Sequence, residues 1–159
     1  MTTISSSPDR NSVRCRWPLR AATAIFFLLP WLGACARPAG IETADAWIRE
    51  APPGAQRLAG YLVIDNKLST AITLTGVSSD AFATVQIHRT TMHDGVSRMR
   101  MIGELVIGPG QAQSLSPGGT HLMLIDPQAK LVAGDFVRLV LHFADQPDLA
   151  LQVPVKTGR

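Results

Sequence analysis

The punctuation of this chain constrains its fold more than any other feature. From Ala46 to Val155, runs rich in Val, Ile, Leu and Thr are interrupted at near-regular intervals by turn-forming residues. The runs are Ala46–Arg49, Leu58–Asn66, Ala71–Val77, Thr84–Thr91, Val96–Ile107, Gln113–Leu115, His121–Ile125, Phe136–Phe143 and Ala150–Val155. Between them stand Pro52-Pro53-Gly54, Asn66-Lys67, Asp94-Gly95, Gly108-Pro109-Gly110, Pro117-Gly118-Gly119, Ala133-Gly134-Asp135 and Gln146-Pro147-Asp148. Helical periodicity is hard to find in such short runs. Their β-branched content and spacing predict about eight or nine antiparallel strands forming an all-β sandwich or barrel.

The N-terminal segment follows a different logic. Arg14, Arg16 and Arg20 precede an uncharged stretch from Ala21 to Ala36 that contains Ile25-Phe26-Phe27-Leu28-Leu29 and Trp31-Leu32. That stretch is short for a bilayer span, is broken by Pro30, and ends in small residues, which is the order of an export signal. Leu32-Gly33-Ala34-Cys35 resembles a bacterial lipobox, so residues 1–35 read as a leader in which Cys35 becomes the lipidated first residue of the mature chain. Ordinary cleavage after Ala36, with Ala34 and Ala36 as the small residues, is the alternative. Ala36 in the following position resembles lipoproteins passed on to an outer membrane. Residues 36–44 read as a short tether and residues 45–159 as the domain.

Charge and cysteine usage then exclude several functions. The formal net charge of +3 lies wholly in the leader, where four arginines oppose Asp9; from Ala36 onward 11 Lys+Arg balance 11 Asp+Glu. A neutral domain with scattered charges offers no footprint for nucleic acid. Cys15 sits in the leader, and with Cys35 acylated the domain has no thiol. This excludes an intramolecular disulfide, a cysteine-ligated zinc and a blue-copper centre.

What the domain does have is imidazole and thioether. Asp94-Gly95 predicts a two-residue hairpin turn, in which facing residue numbers sum to 189. His88 then faces Met101, Thr90 faces Met99, and Met92 faces Ser97. Strand alternation puts His88, Met92, Met99 and Met101 on one side. In His121-Leu122-Met123-Leu124-Ile125, His121 and Met123 likewise share a side, at the start of a strand opened by Pro117-Gly118-Gly119. Soft thioether sulfur suits Cu(I) and has little use for zinc, calcium or magnesium. It also survives in an oxidising compartment, where a thiol is lost to disulfide formation. Trp47 and Phe136 read as core residues, His93 as an exposed turn residue and His142 as structural.

At these positions the chain resembles the PCuAC family of periplasmic copper chaperones, whose H-x10-M-x21-H-x-M signature matches His88, Met99, His121 and Met123. The likeness extends from about residue 41 to 156 through Asp45-Ala46-Trp47, Pro52-Pro53-Gly54, Asp94-Gly95-Val96, Met99-Arg100 and Pro117-Gly118-Gly119. It implies a cupredoxin-like Greek-key β-sandwich binding Cu(I) through those four residues. It also implies delivery toward the CuA centre in subunit II of cytochrome c oxidase, often alongside a Sco-type protein, and residence in the bacterial periplasm. Some family members have methionine directly after the first histidine, where this chain has Arg89. Met92 and Met101 are extra methionines, at most a secondary metal position.

Three functional classes compete. A chaperone and a copper-resistance or storage lipoprotein would use the same ligands and differ in how fast they release the ion. An electron carrier would need a thiolate that the mature domain lacks. No Ser/His/Asp set, paired acid or phosphate-cradling loop is apparent, so an enzyme is not expected.

Overall fold

The computed structural model describes residues 40–158; the leader, the lipobox and Cys35 lie outside the described residues. Ten strands follow one another: β1 (Ile41–Arg49), β2 (Arg57–Asn66), β3 (Ile72–Ser78), β4 (Phe82–His93), β5 (Val96–Ile102), β6 (Leu105–Ile107), β7 (Ala112–Leu115), β8 (Thr120–Pro127), β9 (Phe136–Phe143) and β10 (Leu149–Lys156). No helix occurs among the described residues, and none is therefore long and apolar enough to cross a membrane. One sheet runs β5-β4-β8-β2-β1, with β7 continuing along the edge of β2 beyond β8; the other runs β10-β9-β3-β6. A two-residue parallel pairing, Ile48↔Val155 and Arg49↔Lys156, joins them.

The inner faces of both sheets close on a single core. Leu58, Leu62, Ile64, Ile87, Leu122 and Leu124 of the first sheet meet residues such as Leu74, Val137, Leu139, Leu141 and Val153 of the second. Each fully buried aliphatic side chain contributes roughly 1.5–3 kcal/mol of transfer free energy. This is the all-β, cupredoxin-like architecture expected from the run spacing and the family likeness.

The departures have local causes. β1 begins at Ile41, so residues 41–44, expected to be tether, pair with Asn66 to Val63 of β2. A bulge hid this start. Between the pairs Ala44↔Val63 and Trp47↔Tyr61 the register slips by one, and Asp45 adopts φ +50°. One extra residue inverts the alternation, so Ile41 and Ile48 both point inward although one is odd-numbered and the other even. Trp47 consequently turns outward and is half-buried against Tyr61, with ring centroids 4.7 Å apart, instead of entering the core. Phe136, also expected in the core, opens β9 at 68% exposure. The run Val96–Ile107 divides at Gly103-Glu104 into β5, on the edge of one sheet, and β6, on the edge of the other.

One polar residue is fully enclosed. The Asn66 amide nitrogen donates to the carbonyls of Thr70 (2.8 Å), Ile107 (3.1 Å) and Gly108 (2.9 Å), and its Oδ1 accepts from the Leu68 amide at 3.0 Å. It ties the end of β2 to the end of β6 across the two sheets.

Candidate metal centre

The two turns that frame the site form as their sequences dictate. Asp94 and Gly95 both take positive φ, +50° and +73°, as a type I′ hairpin requires. The expected register follows: His88↔Met101, Thr90↔Met99 and Met92↔Ser97. At the other turn, Gly119 N donates to Ser116 O at 3.1 Å around Pro117 and Gly118, and Gly118 has φ +79°. Proline followed by a positive-φ glycine is the type II arrangement, in which a β-carbon at the glycine would be strained. This turn launches β8 so that His121 pairs directly with His88, and Met123 with Gln86.

The geometry collects all six donors proposed from the sequence on one side of the first sheet. His88, Met99, His121 and Met123 stand on its outer face, as do Met92 and Met101, while Ile87, Leu122 and Leu124 turn into the core. The His88 and His121 rings are 6.0 Å apart between centroids. His121 is buried despite its outer position, and Met123 is half-buried, whereas Met99, Met101 and Met92 are exposed. The β2–β8 register, carried one position past Gly60↔Leu122, brings Tyr61 level with His121. The row Trp47, Tyr61, His121, His88, Met101 thus crosses the sheet from an aromatic wall to an open edge.

Hydrogen bonds fix which ring nitrogens are available. His121 Nδ1 donates to the Gly119 carbonyl at 3.1 Å, and the Thr90 amide donates to the same carbonyl, so Nε2 keeps its lone pair. His88 Nε2 donates to Gln86 Oε1 at 2.9 Å, which leaves the Nδ1 lone pair. That nitrogen is buried and has no hydrogen-bond partner among the described residues. A desolvated acceptor left alone costs about 1–3 kcal/mol, and a Lewis acid would relieve it. Burial first, and then the neighbouring His121 ring, holds the His88 imidazole below its ordinary value of 6.5, favouring the neutral form that binds a metal. Among the described residues no three of His, Cys, Asp and Glu lie close enough to hold an ion. On this face the two imidazoles stand among methionine thioethers, a neutral, soft set suited to a monovalent d10 ion.

Two contributors escaped the sequence reading. Gln86, two residues before His88 and on the same face, sets its tautomer; Tyr61 closes the side toward Trp47. His93 is an exposed turn residue, paired with Asp94 at 2.8 Å. His142 is structural in a way the sequence concealed. Its Nε2 lies 2.7 Å from Ser78 Oγ and its Nδ1 2.9 Å from Asp148 Oδ2. A Ser/His/Asp relay, absent from the linear sequence, is thus assembled across β3, β9 and the turn before β10. It lies on an exposed sheet surface, where Ser78 is paired to Val140 in the ladder.

Residues 41–155 match the family described as "Putative lipoprotein LpqE-like". Lxx21020 of Leifsonia xyli, whose name carries the same lipoprotein description, is 30% identical over 118 residues, 74% of this chain and 70% of that protein. The solution structure of Cu(I)-DR1885 from Deinococcus radiodurans superposes with a TM-score of 0.61 at 28% identity, covering 80% of this chain and 84% of that one. The copper-bound PCuAC domain from PmoF2 shares the fold with a TM-score of 0.66 at 21% identity, covering 77% and 97%. With the signature spacing, the register and these likenesses in agreement, the chain belongs to the LpqE-like family, which is the PCuAC-like group.

Proposed function

We propose that the domain is a Cu(I)-binding metallochaperone in which His88, Met99, His121 and Met123 hold the ion. The observation that carries this reading is the facing pair His88–His121, set on a face where every described methionine stands. The copper-bound state of the DR1885 and PmoF2 structures supports it. All four donors are neutral, so the cargo keeps its unit charge, and no proton needs to be replaced above the histidine range. His121 and Met123 form the sheltered side of the site and Met99 the exposed side. A receiving protein can approach over Met99 and displace ligands one at a time, which suits a carrier better than a catalyst.

The delivery target we favour is the CuA domain of cytochrome c oxidase subunit II, with a Sco-type protein as companion. The leader and Cys35 fit export to the periplasm and a lipid anchor, with the outer membrane favoured. Storage or resistance would use the same ligands, and slow release would mark it.

Anaerobic Cu(I) titration of residues 37–159 against a chromophoric competitor tests the reading. One equivalent should bind, and Met99→Leu/Met123→Leu should weaken it by on the order of 100-fold. A parent domain that fails to compete would overturn the proposal. Transfer to an apo CuA domain then separates carrier from store.

A further inference from the structure

Methionine usually fills irregular gaps in a hydrophobic core, and this domain uses none of it that way. The chain has five methionines; the four among the described residues all lie on the outer face of β4, β5 and β8, over a core of Ile, Leu, Val and Phe. Met92, Met99 and Met101 are 71%, 51% and 62% exposed. Three large thioethers held in water gain little from burial.

The register orders them along the hairpin. Met101 faces His88, Met99 stands one rung further out opposite Thr90, and Met92 stands one rung beyond that opposite Ser97. Rungs on one face are separated by roughly 7 Å, and diagonal neighbours by about 7–8 Å. Met92 and Met99 are diagonal neighbours, and their flexible side chains can bring both sulfurs onto one ion. Met92 and His88 are two rungs apart, about 13 Å, too far to share one. Met99 reaches both. The β4–β8 pairing ends at Arg89↔Thr120 and the Thr90 amide reaches only the Gly119 carbonyl of the turn, so the outermost rung pairs with β5 alone and the tip projects past β8. Arg89, Arg98 and Arg100 alternate onto the reverse face, which keeps cationic side chains away from the sulfurs.

We propose that Met92 and Met99 form a second, weaker Cu(I) position at the hairpin tip, and that cargo arrives and leaves through it. This rests on the Cu(I) reading above. In the transfer a bond from Met92 sulfur to the ion forms while the bonds from His88 and His121 nitrogen and from Met123 sulfur break, and Met99 sulfur stays bound throughout. Copper remains Cu(I), the ligands are neutral on both sides, and no electron or proton moves. The tip position lacks imidazole, so it holds the ion loosely where an incoming partner meets it first.

The test uses residues 37–159, which contain the whole core cluster, with methionine methyl groups labelled for NMR. Under anaerobic Cu(I) titration, the Met99 and Met123 signals should move with the first equivalent and Met92 with the second. In His88→Ala/His121→Ala, Met92 and Met99 should move together, at an affinity on the order of 100-fold weaker. Met92→Leu should keep the affinity for the first equivalent while slowing Cu(I) transfer to excess bathocuproine disulfonate by about tenfold. A Met92 signal that stays fixed through two equivalents, or a Met92→Leu variant that transfers as fast as the parent, would overturn this inference alone. Silence at Met99 and Met123 as well would overturn the Cu(I) reading, and this inference with it.

Discussion

Replacing Asn66 by aspartate changes two hydrogen-bond donors into acceptors and almost nothing else in shape. The side chain is fully buried, and its amide nitrogen serves three carbonyls, of Thr70, Ile107 and Gly108, while Oδ1 receives the Leu68 amide. In Asn66→Asp the Leu68 bond survives, but the three carbonyls lose their donor and face a carboxylate. Unsatisfied buried groups cost about 1–3 kcal/mol each, partly shared here because two N–H groups served three acceptors, so about 3–5 kcal/mol should be lost at neutral pH. That is a large part of the roughly 5–15 kcal/mol that holds a domain together. The deficit should also depend on pH. Carbonyl dipoles aimed at the new carboxyl disfavour its charge, so its folded-state pKa must lie above the unfolded value of about 3.9. The variant is therefore least impaired below the unfolded value, where the carboxyl is protonated in both states and can donate once. It loses stability as pH rises through the folded value. Urea unfolding of parent and variant at about pH 7 and about pH 4.5 measures both effects. Midpoints that coincide, or a deficit that does not shrink in acid, would refute the role assigned to Asn66.

Three further outcomes follow from the histidines. Cu(I) affinity should weaken as pH falls, and because burial and His121 hold His88 below 6.5, the His88 share of that loss should develop below this value. The same shift means that the unfolded chain binds more protons here than the folded one. Apo stability from this group is thus complete above 6.5 and is lost as pH falls toward the folded value. Affinity unchanged from about pH 8 to about pH 5 would count against imidazole ligation. At the Ser78, His142 and Asp148 relay, His142→Asn cannot span Ser78 and Asp148 together and should cost about 0.5–1.5 kcal/mol in urea unfolding, without changing Cu(I) binding. Aryl-ester hydrolysis by the parent that disappears in this variant would instead show the relay to be catalytic.

Much of the site could be read before the fold was seen, because it rests on local rules. The Asp94-Gly95 turn sets a register, the register sets a face, and four donors fall on it. The direct pairing of His88 with His121 could not be read, since it depends on β8 returning beside β4, a contact between distant segments. Gln86 and Tyr61 are ordinary residues until that pairing places them. Trp47 went astray for one reason, the single extra residue at Asp45, which inverts the alternation without altering composition. Phe136 misled because hydrophobicity predicts burial only within an element, not at the end where a strand begins. The Ser78, His142 and Asp148 cluster is legible only in three dimensions.

The separation of sulfur from the core sets how this molecule would fail under oxidants. Conversion of a thioether to its sulfoxide adds a polar oxygen, which in most proteins wedges open the interior. Here the oxygen would be added at Met92, Met99 and Met101, positions already in water, and at half-buried Met123, none of them part of the core cluster. An oxidised copy should keep its thermal midpoint while losing its soft donors. It would remain folded and inert, and sulfoxide reduction would restore it without refolding.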